Sequence, residues 1–181
     1  MTVLTAFAEL AQDSSVYVPG LGLRARFKRV AASWLALKTW VKVWLTFLNV
    51  VLFAGFGFLD DPLALWTLVS LPVTGVLLVG MALAMGGLNR LVGLGHLLPW
   101  VPLALYLDVR LVSDLAGPRI DAAASPALFA WALTLGLTLS LCLALDAWDV
   151  MRWLRGERYV LGTEAAHKAG ASRLSPTLAD G

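Results

Sequence analysis

Four stretches of the chain, 43–59, 62–89, 91–107 and 122–145, are apolar and free of Asp, Glu, Lys and Arg. An α-helix rises ~1.5 Å per residue, so ~20 residues cross the ~30 Å hydrocarbon layer with every backbone N–H and C=O satisfied inside the segment. The pattern predicts an all-α, polytopic membrane protein, a four-transmembrane-helix bundle with spans at about 38–59, 63–87, 90–112 and 126–149. Ahead of the first span, Leu23, Phe27, Val30 and Trp34 recur at helical spacing while Arg24, Arg26, Lys28 and Arg29 populate other faces. That arrangement predicts an N-terminal amphipathic interfacial helix lying in the headgroup layer, with those four cations as candidate contacts for anionic lipids. An alternative reading makes them only a topology signal for the first span.

Polar and small positions within the spans refine the picture. Asn49, near the middle of the first span, is expected to face the bundle and bond a neighbouring helix, because an unpaired amide in hydrocarbon is costly. Pro72, with Thr74 and Gly75, interrupts the second span and predicts a kink. The third span is the most polar: Arg90, Gly93, His96 and Trp100 fall on one face at three- and four-residue steps, with Tyr106, Asp108 and Arg110 toward its far end. In the fourth span every odd position from Leu133 to Leu145 is leucine, while the even ones are small or polar. Period two suits a strand, yet the other stretches lack it and a transmembrane barrel needs many more segments. Read as a helix, the segment carries two small-residue stripes, one through Thr134, Thr138 and Cys142 and the other through Ala132, Gly136, Ser140 and Ala144. Gly136, Thr138 and Ser140 are therefore candidate helix-packing residues, against a neighbour in the chain and against a copy of itself.

Composition supports the membrane reading. Of 181 residues, 59% are hydrophobic and 14% charged, with a mean hydropathy of +0.78, too little polar surface to cover a water-soluble globule. Twelve of the fourteen Lys and Arg residues lie before the first span, between the second and third, or after the fourth; only Arg110 and Arg119 lie elsewhere. The positive-inside rule then places both termini in the cytoplasm and the chain in the cytoplasmic (inner) membrane. Met1 to Leu10 carries no positive n-region followed by a cleavage pattern, so the amino terminus is expected to stay in the mature protein. Three regions are expected: a cytoplasmic amino-terminal segment over 1–36, a transmembrane domain over 37–160 and a flexible cytoplasmic tail over 161–181.

Candidate chemistry is sparse. Asn49, Arg90, His96, Asp108, Asp146 and Asp149 form the set of polar intramembrane candidates, since ionisable groups in spans mark functional sites by default. Depth matching puts Arg90 and His96 level with Asp146 and Asp149, so that one acid pairs with Arg90 while the other orients or charges His96. The bland alternative is a structural ion pair closing that end of the bundle. The single Cys142 excludes a disulfide framework and reads as a small packing residue, and His167 reads as a solvated tail residue. No catalytic residues are assembled, the chain looks short of ligands for a metal or haem, and no cofactor or nucleic-acid partner is expected. A P-loop, a GxSxG motif and an HExxH motif are all absent from the sequence. The expected function is a non-catalytic accessory, assembly or sensory subunit, a homo-oligomer or the partner of another membrane subunit. The alternative is a channel or transporter subunit for protons, ions or a small solute.

Overall fold

The computed structural model describes residues 20–178 and is all-helical, with no strand among the described residues. Residues 1–19 of the expected amino-terminal segment lie outside them. In chain order the helices are α1 (Leu23–Leu35), α2 (Thr39–Phe53), α3 (Pro62–Ala84), α4 (Leu94–Val112), α5 (Pro126–Leu154) and α6 (Glu164–Lys168). A 3-10 turn over Ala54–Phe58 extends α2, and another over Arg90–Gly93 leads into α4. Four helical segments are long and apolar enough to cross a membrane: Thr39–Phe58, Pro62–Ala84, Arg90–Val112 and Pro126–Leu154. They fall within five residues of the spans expected from sequence, and α1 coincides with the expected amphipathic helix. Helix α3 runs on through Pro72, and α4 through Pro99 and Pro102.

The described residues form two compact units, one of Val43–Leu77 with Leu94–Trp148 and the other of 20–42, Leu78–Gly93 and 149–178. They are termed the span unit and the terminal unit. The span unit has an apolar core in which Leu48, Leu52, Leu63, Leu107, Leu135 and Leu139 are almost wholly buried. Its outer surface is apolar too, with Val50, Phe53, Val69, Val76, Leu105 and Leu137 each about half exposed or more. Water does not tolerate so much contiguous exposed hydrocarbon, whereas lipid tails do. Trp66 and Trp148, near the ends of their spans, are exposed and suit an interfacial aromatic belt.

Two details fix the span unit's packing. The Trp131 indole stacks on Phe58 with ring centroids 5.1 Å apart and donates from Nε1 to the Val51 carbonyl at 2.9 Å. Gly136 allows close approach of α4: a Cβ there would meet Leu107 Cδ2 at 3.2 Å. The inward face of α5 is Trp131, Ala132, Leu135, Thr138, Leu139 and Cys142, a single stripe at three- and four-residue steps. The two nearly opposite small stripes expected from sequence are thus corrected in part: Gly136 and Thr138 pack inward, while Ser140, Ala144 and Thr134 are exposed.

In the terminal unit, α3 ends in a Schellman motif. Gly87 N–H donates to the Ala82 carbonyl at 2.8 Å and Gly86 N–H to that of Leu83 at 3.3 Å, with Gly86 at φ +68°. Gly87, at φ +151°, leaves no room for a side chain, because a Cβ would sit 2.5 Å from Val160 Cγ1. The remaining carbonyls at this helix end are capped by arginines. Arg26 Nη1 donates to the Leu83 and Ala84 carbonyls at 2.9 Å each, and Arg29 Nε to that of Gly86 at 3.0 Å. Cations at a helix C-terminus also meet the negative end of its dipole.

The flexible tail expected over 161–181 is corrected as far as residue 178. Thr163 caps α6, Gly162 N–H donates to Ser172 Oγ and Arg173 N–H to the Ala36 carbonyl, both at 2.8 Å. Val160 and Leu178 are buried with Ala32. The segment is polar, yet its hydroxyls bond its own backbone, which satisfies the groups that packing removes from water.

Candidate functional site

Arg90, His96, Arg110, Asp146 and Asp149 fall into three ion-paired groups. In the terminal unit, the 3-10 turn carries Arg90, 9% exposed, whose Nη1 pairs with Asp149. Its Nε lies 3.1 Å from Glu157 Oε2 and its Nη2 donates to Tyr159 Oη at 3.1 Å. Glu157 is held in turn by Arg152, whose Nε and Nη2 both reach it at 2.7 Å, and accepts from Tyr159 Oη at 2.9 Å. The hydrogen bond from Arg152, with those of Tyr159 and the charge of Arg90, holds the Glu157 carboxyl below the usual glutamate range, whereas burial pushes the Tyr159 phenol up.

The span unit carries two pairs at opposite ends of α4. Near the end of α4, Arg110 is 3% exposed; its Nη2 donates to Asp61 Oδ2 at 2.8 Å, its Nη1 to Tyr106 Oη at 3.0 Å and its Nε to the Pro118 carbonyl at 2.8 Å. Asp61 also caps α3, accepting the Leu63 N–H on Oδ1 at 2.8 Å. At the beginning of α4, His96 Nδ1 lies 3.1 Å from Asp146 Oδ2, with side-chain exposures of 14% and 17%. The contact is not aligned as a hydrogen bond, leaving a buried Nδ1 without a hydrogen-bond partner. Trp100 stacks on the imidazole at 4.5 Å and fixes its plane. Cys142, one turn before Asp146 on α5, donates from Sγ to Asp146 Oδ2 at 3.4 Å. The nitrogen, sulfur and oxygen donors of His96, Cys142 and Asp146 all lie within 4.8 Å of one another.

The sequence left open which acid meets which cation; in the structure Arg90 meets Asp149 and His96 meets Asp146. Three expectations are corrected. Asn49 is exposed and donates to the Leu45 carbonyl of its own helix at 2.7 Å, which satisfies the amide without a neighbour. Asp108, expected in the polar intramembrane set, is exposed and on a different side of α4 from Arg110, as its spacing implies; Arg110 meets Asp61. Of the four basic residues assigned to lipid, Arg24 and Lys28 are exposed, while Arg26 and Arg29 cap α3. Cys142 has a polar neighbour as well as a packing role, and with His96 and Asp146 it brings three possible ligand atoms together. Its i,i+4 spacing to Asp146 was the available signal.

A separate groove of about 480 Å³ is lined mainly by apolar side chains of α3 and α4, with Ser70 and Tyr106 as its polar members. Compared with protein-family models, curated proteins and solved structures, the chain matches none.

Proposed function

We propose that the protein is a non-catalytic component of the cytoplasmic membrane, an accessory, assembly or sensory subunit that crosses the bilayer four times with both termini inside. The observation that carries this reading is the layout of polar groups in the span unit. His96 and Arg110 are fourteen residues apart on α4, about 21 Å along the helix axis. Each is paired, and between them the core is filled by Trp100, Leu103, Leu107, Leu135 and Leu139. Two polar ends separated by a packed hydrocarbon middle favour a structural bundle over a hydrated path. Exposed Arg24 and Lys28 suit anionic lipid headgroups, and the outward-facing Ser140 and Ala144 suit close approach by a second copy or a partner subunit.

Permeation is the competing reading, and transport measurements decide between them. Purified protein in liposomes is expected to give no proton or cation flux above that of empty vesicles. A flux that disappears on His96→Ala would overturn the accessory role and establish a conducting path through that residue.

A further inference from the structure

We propose that His96, Cys142 and Asp146 bind a divalent transition-metal ion of borderline-soft character, such as zinc, leaving a fourth position open. This inference stands independently of the accessory role. Donors held ~2.0–2.3 Å from a common tetrahedral centre are themselves roughly 3.3–3.6 Å apart. The observed separations of 3.1 Å from His96 Nδ1 to Asp146 Oδ2 and 3.4 Å from Cys142 Sγ to the same oxygen come close to that spacing before any ion is present. The third separation, sulfur to nitrogen, is within 4.8 Å and has to shorten when the ion binds.

The donor set selects the ion. Imidazole, thiolate and carboxylate together suit zinc and its neighbours in the transition series and disfavour magnesium and calcium, which require oxygen ligands. His96 offers a buried Nδ1 that no hydrogen bond satisfies, the lone pair a metal would take, with the ring proton on Nε2. Stacking on Trp100 holds the imidazole in one plane, as supporting residues do around metal ligands. On binding, the Cys142 S–H bond breaks, the sulfur pair forms the metal–sulfur bond and the proton leaves to water. One neutral and two anionic ligands then balance the ion's two positive charges. The loaded site is electrically neutral, which is the state a low-dielectric surrounding penalises least.

Cobalt(II) is the probe, because thiolate ligation gives it an intense near-ultraviolet charge-transfer band. The full chain, purified in detergent through a tag without histidine and stripped with chelator, is expected to bind one cobalt per chain with that band and to release it to zinc. Cys142→Ser keeps the size of the side chain and should abolish the band, while His96→Ala and Asp146→Asn should each weaken binding at least about tenfold. Asp108→Asn, outside the cluster, should change neither. Helical circular dichroism checks that each variant is folded, and wild-type protein should melt at a higher temperature with zinc than without. Absence of stoichiometric binding by the wild type, or a band that survives Cys142→Ser, would overturn the site.

Discussion

The span unit and the terminal unit solve the same problem by different means. In the span unit, long leucine-rich helices satisfy their own backbones and the core is hydrocarbon from Leu48 to Cys142. In the terminal unit, the buried apolar cluster consists of Ala32, Val160 and Leu178, and much of the holding is polar. Arg26 and Arg29 close the end of α3, Ser33 Oγ accepts the Leu88 N–H at 3.0 Å, and Arg90 gathers Asp149, Glu157 and Tyr159. The contrast follows from where backbone groups are left over: a helix interior needs no outside partner, but four carbonyls at each C-terminus do. Arginine supplies several fixed donors on one side chain, which makes it effective at such an end.

The comparison breaks most sharply at Arg110, the charged group buried inside the hydrocarbon-cored unit. Arg110→Met should strip Asp61 of its partner and cost about 3–5 kcal/mol in an unfolding titration in detergent. Combining it with Asp61→Asn, which keeps a capping side chain, should recover most of that loss. An unchanged midpoint in the single variant would show the pair contributes nothing to the unit. A smaller effect is expected on α5. Gly136→Leu drives a side chain into Leu107 and should cost about 1–3 kcal/mol. Ser140→Leu, on the exposed face, should leave monomer stability within about 0.5 kcal/mol and act only on assembly. Equal losses from both would remove the distinction between the faces.

The smallest effect belongs to the terminal unit and depends on pH. The Glu157 carboxyl is held below its ordinary range in the folded protein, so its contribution is present above the unfolded value and fades as pH falls through the lowered folded value. Melting of the wild type should therefore lose a modest increment on acidification that Glu157→Gln lacks. Identical acid dependence in the two proteins would mean the Arg152 and Arg90 contacts carry no stability.

The spans were readable from sequence because hydrocarbon thickness dictates element length, and counting residues along antiparallel helices put Arg90 and His96 level with Asp146 and Asp149 without saying which acid meets which cation. What escaped were features set by rotation rather than depth. Asn49 can satisfy its amide on its own Leu45 carbonyl, so composition does not say which way it points. Helical spacing alone sets Asp108 on a different side from Arg110, but which acid from elsewhere in the chain meets Arg110 is decided by packing, and it is Asp61. The ordered segment over 162–178 eluded hydropathy because it buries only a few apolar side chains, Ala166 and Leu178 among them, and is otherwise held by hydroxyl-to-backbone bonds. Cys142 was concealed by its neighbours, a small residue in a run of small residues.

Sidedness tests the central claim, that these helices cross a bilayer, most directly. Single cysteines introduced by Leu115→Cys, between α4 and α5, and by Thr177→Cys, beyond α5, both occupy exposed positions. With Cys142→Ser as background and a membrane-impermeant thiol reagent applied to intact cells, the first should label and the second only after the membrane is opened. Labelling of both from the same side would show that α5 does not traverse the lipid.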